Sequence, residues 1–116
     1  MKTILLSSTQ YPGYGGSATN TYYIIKYLRS QNYKCFGLFF YNNKEKKKIN
    51  YNPDNIDGII LSKYPELNSN EENNKIKEKI INYLDKYPEI CMGKNYAAPI
   101  FCKKLFPKSF IIYLVS

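Results

Sequence analysis

Apolar and polar positions along the chain fall into segments whose period switches between that of a buried strand and that of an amphipathic helix. Ile4-Leu5-Leu6 is a short apolar run that enters the turn-rich stretch Tyr11-Pro12-Gly13-Tyr14-Gly15-Gly16, as a buried strand entering a loop would. Ala18, Tyr22, Ile25 and Leu28 then recur at spacings of three and four, which predicts a helix from Ala18 to Arg29 with Ser17 capping its N-terminus. Lys34 to Tyr41, centred on Cys35-Phe36-Gly37-Leu38-Phe39-Phe40, is apolar without alternation, the pattern of a strand covered on both faces.

Asn42 to Asn55 holds Lys44-Glu45-Lys46-Lys47-Lys48 and Pro53 and reads as a solvated loop, after which Gly58 to Ser62 predicts the next strand. Ser69-Asn70-Glu71-Glu72 matches a capping box, opening a helix whose apolar face carries Ile76, Ile80, Tyr83, Leu84 and Tyr87 and which Pro88 closes. Glu89 to Met92 is a short strand, Gly93-Lys94-Asn95 a turn, and Tyr96 to Phe106 a helix with Pro99 tolerated in its first turn. Phe110 to Val115, the most apolar stretch, has the sequence of a central strand, though it would sit at or near the exposed edge of the sheet if nothing follows.

About five strands thus alternate with three helices over residues 1–116, which predicts one α/β domain of Rossmann-like, doubly wound parallel type. In such sheets the ligand crevice lies beyond the carboxyl ends of the strands. The residues to watch are therefore Ser7 to Gly16, Tyr41 to Asn43, Ser62 to Tyr64, Gly93 to Asn95 and Ser116.

Composition narrows the function classes. A chain of 116 residues with 44% hydrophobic and 22% charged residues suffices for one core but not for two lobes closing on a substrate. The net charge of +8 raises nucleic acid or an anionic surface as partners, but the positive charge is nearly all lysine. Arg29 is the sole arginine, whereas base and phosphate recognition favour the arginine fork, so specific nucleic-acid binding is not expected. Cys35, Cys91 and Cys102 lack both C-x-x-C spacing and histidine partners, so no zinc site is expected and they read as buried thiols. The opening Met1-Lys2 leads into an apolar run too short for export or for spanning a bilayer, which makes cytoplasm the expected location.

Gly13-x-Gly15-x-x-Ala18 lies between a strand and a helix and fits the dinucleotide fingerprint, in which absent side chains let a pyrophosphate approach a helix N-terminus. That fingerprint also needs an acid after the second strand, where Tyr41-Asn42-Asn43-Lys44 stands instead, so no dinucleotide cofactor is expected. The same glycines also serve a tight turn and close helix packing with no ligand. The chain has no histidine, which excludes Ser-His-Asp and Cys-His catalysis. Glu71, Glu72, Glu78 and Asp85 fall on or near a polar helix face, where capping and pairing such as Glu71 with Lys75 are the expected roles.

Lys2 to Leu6, Tyr11-Pro12-Gly13-Tyr14-Gly15-Gly16-Ser17-Ala18-Thr19-Asn20 and Tyr22 through Leu28 resemble the opening of a GT-B glycosyltransferase, family 4 in particular, the double glycine after proline being the most specific part. Ile90 to Pro99, Leu105-Phe106-Pro107 and Ile111 to Ser116 resemble the later part of the same N-terminal domain. The resemblance implies a retaining, metal-independent transfer of a sugar from a nucleotide-sugar donor. It puts Gly13, Gly15, Gly16 and Ser17 in the donor-phosphate loop and Asn20, Lys94 and Asn95 on the acceptor side.

Such enzymes hold the donor mainly through a second Rossmann domain with a basic pair and a glutamate-rich motif, and no such segment occurs here; the usual acceptor-side histidine is also missing. The expectation is a truncated or split acceptor-side domain that needs a complementing domain for donor and acceptor, with self-association through the last strand. The alternative is a non-catalytic binding or scaffold module that engages an anionic partner through its lysine- and tyrosine-rich surface.

Overall fold

Strands and helices alternate as the two periods predict. The computed structural model describes residues 2–8, 16–41, 58–63, 67–94 and 97–114. In chain order the elements are β1 (Thr3–Ser8), α1 (Gly16–Ser30), β2 (Lys34–Tyr41), β3 (Ile59–Lys63), α2 (Asn70–Leu84), β4 (Ile90–Lys94), α3 (Ala97–Leu105) and β5 (Phe110–Leu114). The strands form one sheet in the order β3-β2-β1-β4-β5, every neighbouring pair parallel. The doubly wound Rossmann-like architecture is the one expected.

The sheet is apolar on both sides because helices flank both. On one side Ile4, Leu6, Cys35, Phe39 and Ile59 pack with Ile25 of α1. On the other, Leu5, Phe36, Leu38, Phe40 and Cys91 pack with α2 and α3 through Ile76, Ile80, Phe101, Cys102 and Leu105. Right-handed crossovers require this split: β1 to β2 steps one way along the sheet, while β3 to β4 and β4 to β5 step the other. All six residues of β1 are buried, so this strand is the centre of the core.

Local chemistry sets the element ends. Ser69 caps α2 through a reciprocal box: Glu72 N–H donates to Ser69 Oγ at 3.1 Å, and Ser69 N–H donates to Glu72 Oε1 at 3.3 Å. Asp85, in the left-handed conformation with φ 65°, ends the helix, and Lys34 holds its carboxylate at 2.6 Å. The stop therefore comes before Pro88, and Tyr87 lies outside the helix and is exposed. A left-handed residue breaks the ladder of backbone bonds by itself, so no proline is needed.

Two further expectations are corrected. α1 begins at Gly16, so Ser17 lies in its first turn and is not the cap; first-turn residues need not be apolar, so periodicity places the start too late. Gly93 and Lys94 belong to β4, paired with Tyr113 and Leu114, and form no turn. β5 is the edge of the sheet among the described residues despite its central-strand sequence, and Phe110 is 67% exposed there. Its run of apolar residues mimics a central strand because hydropathy records composition and not neighbours. The predicted loop Asn42 to Asn55 lies outside the described residues.

Candidate functional site

In a sheet ordered β3-β2-β1-β4-β5, the chain reverses its direction of travel between β1 and β4. The helix after β1 lies on one side of the sheet and the helix after β4 on the other. Open α/β sheets place their ligands at such a strand reversal, beyond the carboxyl ends of the strands. The N-termini of α1 and α3, with amides free of intrahelical partners, follow those two strands.

Two residues bring the strands of this reversal together. Ser7 of β1 pairs with Gly93 of β4, and a Cβ at Gly93 would stand 2.6 Å from the Ser7 carbonyl oxygen, 2.7 Å from its hydroxyl and 3.4 Å from Cδ of Pro99 in α3. Only glycine lets β1, β4 and the first turn of α3 come this close. Ser7 Oγ is fully buried and has no hydrogen-bond partner among the described residues. The Cys102 thiol lies near it. Burial pushes that thiol well above its ordinary range, Cys91 adds to the effect and Ser7 opposes it. Such an orphaned hydroxyl costs about 1–3 kcal/mol, unusual at the centre of a sheet.

The expected site residues divide as follows. Gly16 and Ser17 form the first turn of α1, and Asn20 lies one turn further along the same helix. Lys94 is the last residue of β4. Gly16, Ser17 and Lys94 thus share the carboxyl edge of the sheet at the β1/β4 reversal. Gly13, Gly15 and Asn95 lie outside the described residues. Sequence reasoning overlooked Ser7 as an orphan and Gly93 as a packing glycine; a glycine within a strand-like pattern beside an apolar run was the available signal.

No protein-family model, curated protein or solved structure matches the chain. The chemistry therefore has to be read from the strand reversal itself. Among the described residues no cluster of three histidine, cysteine or carboxylate groups could hold a metal, and no helix is long and apolar enough to cross a membrane. All three cysteines are free and buried. Burial pushes the Cys35 thiol up to about 11 against the pull of Arg29, and raises Cys91 despite Ser109 and Lys103. Thiols so shifted remain protonated near neutrality and are poor nucleophiles.

Proposed function

We propose that the chain is the acceptor-side domain of a glycosyltransferase of GT-B type, acting together with a donor-binding domain on a nucleotide sugar and a sugar acceptor. The supporting observation is the strand reversal at β1/β4, which brings two helix N-termini and the Gly16, Ser17 and Lys94 positions to one edge. Backbone amides at such an edge suit the phosphates of a donor. On this reading the domain works in the cytoplasm, where its three free thiols stay reduced. β5, with Phe110 and Tyr113 exposed, is the edge through which it meets a second copy.

Amide chemical shifts recorded during titration with a panel of mono- and disaccharides, and separately with UDP- and GDP-sugars, test the proposal. Expected are saturable shifts at Lys94 with an acceptor sugar, and only weak shifts at Gly16 and Ser17 with either donor. Silence of those amides toward every sugar overturns it. Tight calorimetric binding of a nucleotide sugar to this chain alone overturns the division of labour between the two domains.

A further inference from the structure

A second hollow, of about 260 Å³, lies at the far edge of the sheet between the end of β3 and the side of α2. Ile60 of β3 and Ile76 of α2 give it an apolar part, and Lys63, Lys75 and Lys79 are among its lining residues. The polar side chains of the lining already satisfy one another. Asn68 Nδ2 donates to Ser62 Oγ and to Asn73 Oδ1, both at 3.2 Å, and Ser62 Oγ donates to the Lys63 carbonyl at 3.0 Å. These bonds tie the approach to α2 against β3 and hold the hollow open in a fixed shape.

What remains unbalanced is the charge. Lys63 and Lys79 have no ion pair among the described residues, and Lys75 has only the exposed Glu71 carboxylate at 3.9 Å. Glu72, the acid of the lining, is engaged in the capping box with Ser69. Lys75 and Lys79 also stand at i and i+4 on one helix, where like charges repel. Both belong to the N-terminal two-thirds of α2, where the helix dipole gives a cation no help. Three lysines and one carboxylate thus line one small, partly apolar hollow.

We propose that this hollow binds a small phosphorylated molecule, its phosphoryl group among Lys63, Lys75 and Lys79 and its carbon portion on Ile60 and Ile76. A dianion offsets the repulsion between Lys75 and Lys79 and supplies Lys63 and Lys79 with a counter-charge. The volume, just under the range of about 300–1,000 Å³ usual for drug-sized ligands, limits the occupant to a phosphoryl group with a compact organic part. The hollow lies at the β3 edge of the sheet, two strands from β1, and shares none of its lining residues with the Gly16, Ser17 and Lys94 positions.

Titration of the ¹⁵N-labelled chain with phenyl phosphate and with inorganic phosphate, at 150 mM salt (about an 8 Å screening length), tests it. Expected are saturable shifts at the amides of Lys63, Asn68 and Lys79, with phenyl phosphate binding about tenfold tighter, the ratio from burying roughly half an aromatic ring. Lys63→Gln and Lys79→Gln should each weaken binding about two- to fivefold with unchanged spectral dispersion, while Lys104→Gln on α3 leaves it unchanged. Equal affinity for the two ligands overturns the role of Ile60 and Ile76. Shifts scattered over lysines elsewhere, or binding untouched in Lys63→Gln/Lys79→Gln, overturn the site. Shifts confined to Gly16 and Ala98 overturn it too, and would leave the glycosyltransferase reading standing; silence of Gly16 and Lys94 toward sugars, with phosphate shifts at Lys63 and Lys79, does the reverse.

Discussion

The backbone of Ser7 and the Cα of Gly93 meet so closely that any side chain at position 93 would press on a carbonyl oxygen 2.6 Å away. Gly93→Ala should therefore force β1 and β4 apart and cost about 1–3 kcal/mol. At Gly37 an added Cβ meets the tip of Ile25, Cδ1, at 2.7 Å, and that side chain can turn aside. Urea unfolding should rank Gly93→Ala as the more damaging; equal losses would mean that backbone proximity is not what demands a glycine in β4.

Alkaline pH should destabilise the fold through the thiols. An unfolded cysteine loses its proton near pH 9.0, while Cys35 in the fold holds it to about 11. Above pH 9 the unfolded state thus binds fewer protons than the folded one, and stability falls as pH rises toward 11. The slope approaches about 1.4 kcal/mol per pH unit for each shifted thiol. Cys35→Ala should flatten the decline relative to the parent chain, as followed by thermal melts between those limits; an unchanged slope would assign it to tyrosines and lysines instead.

Ser69→Ala removes the acceptor for the Glu72 amide and half of the reciprocal box. A loss of about 1 kcal/mol is expected, seen in circular dichroism as a lower melting temperature with an unchanged native spectrum. Glu72→Gln retains the reach back to Ser69 and should cost less. If the two variants melt alike, the carboxylate charge at the helix start matters as much as the hydroxyl.

β5 is five residues, Phe110 to Leu114, with no charge or proline to discourage pairing along the side that is unpaired among the described residues. Light scattering should find association that grows with protein concentration. Ile112→Lys places a charge at the middle of the strand and should return the chain to a monomer. A parent chain that is already monomeric at every concentration disposes of the edge-to-edge partner.

What could be read beforehand depended on whether the cause was local. β2 was bounded correctly because both of its faces are apolar, and the start of α2 was found because Ser69 and Glu72 lie within one turn of each other. Gly93 was misread as a turn because what it accommodates, Ser7, comes from the other end of the chain. Ser7, Ser8 and Thr21 are buried polar residues that hydropathy counts as surface. Of the site, only the edge on which Gly16, Ser17 and Lys94 gather followed from the order of elements. The three-lysine hollow was invisible because Lys63 joins Lys75 and Lys79 only through tertiary packing of β3 on α2.

The position of β1 also bears on how the chain is made. Its first strand is also its innermost, and Thr3 Oγ1 reaches the carbonyl of Tyr87 across 84 positions of sequence. On a ribosome adding about 5–20 residues per second, β1 can dock on β2 early but then waits roughly 3–11 s for β4 to emerge. During that interval Leu5 and Leu6 line an open margin of the nascent half-sheet, the stage at which a chaperone that shields apolar strands has most to contribute.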